Sequence, residues 1–333
     1  MGGEFDLIER IKTRAATRPD VILGIGDDAA LLQVPGGHEL VLSTDTLIAG
    51  VHFPADTAAQ DIGWKALAVN LSDLAAMGAQ PAWVSLALTM PEADGEWLDA
   101  FLDGFCELSN EHQVALVGGD TTRGPLSITI AAHGFVPAGM ALRRDGACFN
   151  DDIWVTGTLG DAAGALSQWR GNGLMSAKLR FRLDRPTPRI AAGIALRTLA
   201  NAAIDVSDGL VADLGHVLRR SGGRSRHPAI APHGVGAQLD LGRLPTSRTL
   251  AEHFPREDER WRLQLGVGDD YELCFTAAPA NALAIEQAMA ACNTAATVIG
   301  RITAETGLHL RTSEGATFEL GANGYQHFSE RSN

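Results

Sequence analysis

Apolar residues recur at two periods along this chain, and the period switches from segment to segment. Over residues 5–16, Phe5, Ile8 and Ile11 fall at helical spacing and predict an opening helix. Residues 39–44 read as a strand running into a Ser-Thr-Asp cluster. Residues 61–77 predict a longer helix, stopped by Gly78 and Pro81. On it Asn70 and Asp73 are three apart and share one face, with Met77 four further on. A strand is predicted at 82–89, a helix at 95–112, and a short strand at 114–117 that ends on Gly118-Gly119-Asp120. Another strand spans 127–136.

Pro137-Ala-Gly139 and Asp145-Gly146 mark a boundary near residue 140, giving domains at 1–138 and 139–333. Beyond it a strand at 153–156 leads through Gly157-Thr-Leu-Gly160 into a helix from Asp161. Residues 188–199 read as helix and 202–206 as a strand that delivers Asp205. Ser207 is placed as the cap of a helix running to about Arg220, with Asp208 in its first turn. Residues 222–234, rich in Gly, Arg, His and Pro, read as a surface loop. A strand at 271–276, a helix at 281–291 and strands around Val298, Leu308 and Phe318 complete the pattern. Strands alternating with helices in both halves indicate an α/β (α+β) fold class.

The length of 333 residues agrees with two domains, and 45% hydrophobic with 20% charged residues is ordinary for a soluble globular chain. A formal net charge of −13 argues against nucleic acid or an anionic membrane as partner. Cys106, Cys148, Cys274 and Cys292 show no paired spacing and read as thiols in a reducing compartment. With no apolar run of about 18 residues and no signal-like N-terminal region, the expected location is cytoplasmic.

Charge placement changes the picture more than charge total. Aspartates recur in small-residue contexts: Gly26-Asp27-Asp28, Ser43-Thr44-Asp45, Ser72-Asp73, Gly118-Gly119-Asp120-Thr121, Asp205-Val206-Ser207-Asp208-Gly209 and Gly268-Asp269-Asp270. Two carboxylates about 4 Å apart repel by about 4 kcal/mol at an effective dielectric near 20. Segments of this kind brought together would need divalent cations, and hard oxygen donors suit Mg²⁺ and phosphates. Taken singly, each is equally an ordinary turn or helix cap. Residues 23–28 and 265–270 match at five of six positions, which suggests one ligand served by both halves.

Several chemistries are excluded. The three lysines, Lys12, Lys65 and Lys178, lie outside any glycine-rich turn, so there is no Walker-type loop. Asp-Asp directly after Gly24-Ile-Gly26 opposes a bare pyrophosphate and weakens a dinucleotide fingerprint. Neither a Gly-x-Ser-x-Gly elbow nor a His-Glu-x-x-His pair is present. In the 205–209 segment two carboxylates and a hydroxyl stand beside amides at a predicted helix N-terminus, which suits Mg²⁺ bridging to a phosphate; plain capping is the competing reading.

The motifs GIGDDAALL (24–32), STDTLIAGVHF (43–53), KALAVNLSDLAAMGAQP (65–81), GGDTTRG (118–124), VTGTLGDAAGAL (155–166), DVSDGLVADL (205–214) and GDDYELCFT (268–276) occur in this order along nearly the whole chain. On these stretches the chain resembles the thiamine-monophosphate kinases, of the superfamily that also includes aminoimidazole ribonucleotide synthetase and selenophosphate synthetase. The resemblance implies an N-terminal sheet domain that pairs with its twin in a homodimer, a C-terminal α/β domain, and ATP-dependent phosphorylation of thiamine monophosphate. By motif, Asp28, Ser43, Thr44, Asp45, Asp73, Asp120, Asp205 and Asp208 would surround several Mg²⁺ ions. Gly119, Asp120, Arg144 and Ser207 would contact ATP, and His52, Glu272 and Tyr325 would line the thiamine monophosphate site.

Read from residues alone, Glu272 is equally a solvated strand-end carboxylate and Tyr325 a core aromatic of the tail. For His52 a packing or hydrogen-bonding role competes, and Arg143 offers the same charge as Arg144. The chain departs from the resemblance at Phe149-Asn150-Asp151, in place of a Pro-Gly-Asp turn, where asparagine still tolerates the left-handed conformation. It departs again in the long 222–234 segment. The rival readings are an enzyme of the same superfamily acting on another acceptor, and a non-catalytic binding or metal-buffering protein.

Overall fold

The computed structural model describes residues 4–171, 175–221 and 235–321. The chain divides into two compact units: Met1–Leu74 with Ala79–Ala141 and Asp184–Ile190, and Ala75–Gly78 with Leu142–Leu183 and Ala191–Asn333.

The first unit contains α1 (Glu4–Arg14), β1 (Val21–Leu23), β2 (Leu31–Leu32), β3 (His38–Ile48), α2 (Ala59–Ala76), β4 (Gln80–Met90), α3 (Gly95–Glu111), β5 (Ala115–Arg123) and β6 (Ser127–Pro137). Four strands form a sheet in the order β3-β6-β4-β5, antiparallel except between β4 and β5. Every residue of α2 from Ala66 to Ser72 is buried, the polar Asn70 and Ser72 among them. α3 instead buries one stripe, Leu98, Phe101, Leu102 and Phe105, and Asp94 caps it by accepting from the Glu96 and Trp97 amides, both at 3.0 Å. Trp83 packs edge-on to Phe135 with ring centroids 4.9 Å apart, and its Nε1–H donates to Asp20 at 3.0 Å. On β3, at the edge of the sheet, Leu40, Leu42 and Ile48 remain exposed.

The second unit contains β7 (Asp152–Thr156), α4 (Asp161–Arg170), α5 (Ala177–Asp184), α6 (Ile190–Leu196), β8 (Ala202–Asp205), α7 (Leu210–Ser221), β9 (Gly236–Asp240), α8 (Arg248–His253), α9 (Glu257–Gly266), β10 (Leu273–Ala277), α10 (Ala282–Ala291), β11 (Ala296–Thr303) and β12 (Gly307–Arg311). Its six-stranded sheet has the order β12-β9-β11-β7-β10-β8, with β12 and β9 parallel. All five residues of β7 and of β10 are buried, so these central strands are covered on both faces. Ile153, Val155, Leu210, Leu214, Leu239, Leu265 and Ile302 belong to the main core, while Ala162, Ala165, Leu179, Leu183, Leu250 and Phe254 form a second cluster under α4, α5 and α8.

The α/β fold class holds, with local corrections. β5 continues through the glycine pair to Arg123 instead of ending at it. α7 starts at Leu210, so Asp208 precedes the helix and Ser207 is not its cap. Phe318 lies outside the strands and packs edge-on to Trp261. Asn150 adopts a left-handed φ of 71°, as the turn requires. Among the described residues no helix is long and apolar enough to cross a membrane. Residues 222–234 and Tyr325 lie outside the described residues.

Candidate active site

In the first unit, side chains alternate along β3, leaving Ser43 and Asp45 partly buried and Thr44 exposed. The Ser43 hydroxyl donates to Asp73 in a short contact, and the Asp45 amide donates to Asn70 Oδ1 at 3.1 Å. The Asn70 side chain is itself fixed, donating to the Ala66 carbonyl at 3.0 Å. The three-residue spacing on α2 therefore brings Asn70 and Asp73 to β3 and gathers Ser43, Asp45 and Asp73. Asp120 is exposed on β5, which lies three strands from β3, about 14 Å at ordinary strand spacing. Before it, Gly119 has φ +155°, and a Cβ there would lie 1.8 Å from the Leu86 carbonyl oxygen, so this position accepts glycine alone. Asp28 is exposed after β1, its amide donating to Asp27 Oδ1 at 2.9 Å. His52 Nδ1 accepts from the Ile48 amide at 3.0 Å, so its hydrogen sits on Nε2 in the neutral ring.

In the second unit, Asp205 ends β8 in a buried position, and Ser207 and Asp208 follow in the turn before α7. Both of their amides donate to one oxygen of Asp213, each at 3.0 Å. Asp213 thus reaches back from inside the helix and fixes the turn that precedes it. Burial pushes its carboxyl up to about 7 against the pull of those amides. The 268–272 segment is laced to this turn: the Asp269 amide donates to the Ser207 carbonyl at 2.9 Å, and the Tyr271 amide to the Val206 carbonyl at 2.9 Å. Asp269 and Tyr271 both have positive φ, 62° and 50°, and side chains held this way cost about 1–3 kcal/mol each. Such strain persists where surrounding bonds fix it, and here it aims Asp270 inward. Asp270 Oδ1 accepts from the Gly160 amide at 2.8 Å, while Oδ2 is buried with no partner among the described residues; burial raises this carboxyl well above its ordinary range.

Glu272 is fully buried, which removes the solvated-carboxylate reading. One oxygen accepts from Thr156 Oγ1 at 2.7 Å and the other from Arg182 at 2.9 Å. Arg143 is committed to Asp145 through two bonds of 2.9 Å. Exposed Arg144 forms no ion pair among the described residues and lies near enough to lower Asp213. The two neighbouring arginines are therefore not equivalent: Arg143 is held by Asp145, and Arg144 is the one that acts on Asp213. Asp213 and Arg182 were missed in the sequence. Asp213 lies within the DVSDGLVADL stretch, five residues after Asp208, and that spacing was its available signal; Arg182 sits in a short helix with a weak pattern.

The donor chemistry fits Mg²⁺. Asp, Ser and Thr supply oxygen ligands only, and this ion is commonly held through one or two carboxylates with phosphates and waters completing the shell. Asp73 beside Asp45, and Asp205 near Asp208, each meet that requirement. Among the described residues no three His, Cys, Asp or Glu side chains form a ready-made metal cluster.

A family model described as AIR synthase related protein, N-terminal domain, matches residues 26–136. The chain is 47% identical over 335 residues to the thiamine-monophosphate kinase of Escherichia coli strain K12, with 98% of each covered. Among solved structures, thiamine-monophosphate kinase from Stenotrophomonas maltophilia K279a is 52% identical with a TM-score of 0.84, covering 92% of this chain and 96% of that one. AaThiL complexed with AMPPCP and TMP is 30% identical with a TM-score of 0.74, covering 98% of this chain and 97% of that one. By this full-length identity, the chain belongs to the thiamine-monophosphate kinase family.

Proposed function

We propose that this protein transfers the γ-phosphoryl group of ATP to thiamine monophosphate, forming thiamine diphosphate in a Mg²⁺-dependent reaction. The observation that carries this reading is the 47% identity to a thiamine-monophosphate kinase across 98% of both chains. The neighbour complexed with AMPPCP and TMP supports the same pair of substrates.

The chemistry asks little covalent work of the protein. The acceptor is a phosphate already anionic at neutral pH, so no general base is needed, and catalysis reduces to alignment and charge neutralisation. Bound Mg²⁺ would offset the charge of the two phosphate groups as they approach. Asp28, Ser43, Thr44, Asp45, Asp73, Asp120, Asp205 and Asp208 are the residues proposed to hold it. We assign Gly119, Asp120, Arg144 and Ser207 to ATP: Gly119 for close backbone approach, and Arg144 as a cation free of the Arg143–Asp145 pair. His52, Glu272 and Tyr325 are assigned to thiamine monophosphate, His52 as an Nε2–H donor and Glu272 by way of the arginine it holds.

The domain assignment follows the same reading, with residues 1–138 binding metal and ATP and forming the dimer and 139–333 as the α/β domain. β3 supports homodimerisation, since an 11-residue edge strand with exposed Leu40, Leu42 and Ile48 needs covering. The working location is the cytoplasm. Incubating purified protein with ATP, Mg²⁺ and a panel of phosphorylated acceptors tests the reading. Turnover of thiamine monophosphate above the others is expected, and preference for a formyl-amidine nucleotide would replace it.

A further inference from the structure

α7 carries an exposed basic rim in a chain whose formal net charge is −13. His216, Arg219 and Arg220 lie on its solvent side, while Asp213, Leu214, Val217 and Leu218 are buried. Cations in a last turn ordinarily serve the carbonyls at that helix end. Arg219 instead folds back toward the helix start. Its guanidinium lies over Gly215, where a Cβ would stand 3.1 Å from Nη1. Glycine is a poor helix former, and at 215 it leaves the space that this arginine occupies. Arg219 Nη2 donates to His216 Nδ1 at 3.1 Å. A guanidinium only donates, so His216 accepts as the neutral ring with its hydrogen on Nε2.

Arg144 joins this rim from a neighbouring loop. Ser221 Oγ, in the last turn of α7, accepts from the Ala147 amide at 3.1 Å and lies 3.2 Å from the Arg144 carbonyl. The Arg144 charge is felt at both Asp213 and His216, so its side chain reaches along the same side of the helix. Partial burial, then Arg219 and Arg144, hold the His216 imidazolium below its ordinary range, which favours the neutral acceptor. Against these cations stands one carboxylate that is not buried, Asp208, since Asp213 is enclosed beneath the 207–208 turn. Arg144, Arg219 and Arg220 form no ion pair among the described residues. Like charges gathered on one side of a helix repel, and a bound anion relieves that repulsion.

We propose that Arg219, aimed by His216, is a second cation for the phosphate chain of ATP, gripping it together with Arg144 along α7. The placement rests on the function proposed above and adds two residues to the nucleotide's side of it. His216 is a positioning residue: it touches Arg219 and leaves the remaining N–H groups of the guanidinium for phosphate oxygens, which such a fork fits. The 207–208 turn at the helix start takes the metal-bound end of the chain. The basic rim follows the helix away from that turn at about 1.5 Å per residue.

Equilibrium titration of the full chain with a non-hydrolysable ATP analogue, and separately with thiamine monophosphate, tests it. Arg219→Gln and His216→Ala should each weaken the ATP analogue about tenfold, a typical loss for one bond to a charged group. Thiamine monophosphate affinity should stay at the wild-type value, and so should the melting temperature, because both side chains are exposed. His216→Asn, whose Oδ1 accepts where Nδ1 did, should keep most of the affinity. Wild-type binding of the analogue by Arg219→Gln or His216→Ala overturns the proposal, and so does equal weakening of both ligands. A loss confined to thiamine monophosphate would hand the arginine to the acceptor phosphate and overturns it as well. Wild-type protein that binds no ATP analogue overturns the proposed function itself, and this placement with it.

Discussion

The Arg182 guanidinium lies 2.9 Å from Glu272, a carboxylate with no solvent exposure whose other oxygen accepts from Thr156. Removing one partner of such a pair strands a buried charge, typically at a cost of about 3–5 kcal/mol. Because Arg182 is itself partly exposed, water entering beside Glu272 puts the expected loss for Arg182→Met at the low end, about 3 kcal/mol. Adding Glu272→Gln should recover part of it. Denaturant unfolding of the two single variants and the double variant checks this, and strictly additive losses would mean the pair is not coupled.

Asp270 gives a pH signature. Its folded carboxyl is held protonated well above the ordinary range by burial, so its contribution to stability is complete below about pH 4 and is lost as pH rises toward the folded value. The slope is at most about 1.4 kcal/mol per pH unit. Asp270→Asn keeps the acceptor for the Gly160 amide and removes the titration. The variant should therefore gain stability relative to wild type as pH is raised from 5 to 8. A difference between the two proteins that stays constant with pH would show that Asp270 ionises normally.

Asp73 receives the Ser43 hydroxyl and stands beside Asp45, where Asn70 fixes the strand. Asp73→Asn keeps shape and removes charge, so turnover should fall by roughly 100-fold, with a raised Mg²⁺ requirement and an unchanged melting curve. Near-normal activity at saturating Mg²⁺ would remove Asp73 from the metal set.

Gly119→Ala would place a methyl 1.8 Å from the Leu86 carbonyl, at a φ of +155°. β5 must move, and a stability loss of at least about 2 kcal/mol is expected. Thermal unfolding beside the Michaelis constant for ATP checks both halves of the claim. A stable variant with normal ATP dependence would mean the strand relaxes without cost.

What the sequence made legible follows from how local each signal is. α2, α3 and the long strands of the first unit announce themselves through sustained period and clear stops at Gly78 and Pro81. The Asn70–Asp73 spacing was readable because one helix carries both residues. α5 was missed because eight residues containing Lys178, Arg180, Arg182 and Asp184 give no clean apolar period, although Leu179 and Leu183 anchor it. Asp213 was hidden for another reason: its role depends on the chain turning back so that Ser207 and Asp208 present their amides to it. The burial of Glu272 likewise depends on Arg182, ninety positions away. Aspartate chemistry was visible in the motifs; which aspartates meet was fixed by strand order, which put Asp120 across the sheet from Asp45.

The central claim is direct phosphoryl transfer to thiamine monophosphate. Purified protein given γ-labelled ATP, Mg²⁺ and thiamine monophosphate should place the label in thiamine diphosphate, one label per ADP formed, with no transfer when Mg²⁺ is chelated. ADP formation without labelled thiamine diphosphate, or label appearing in inorganic phosphate alone, would contradict the account.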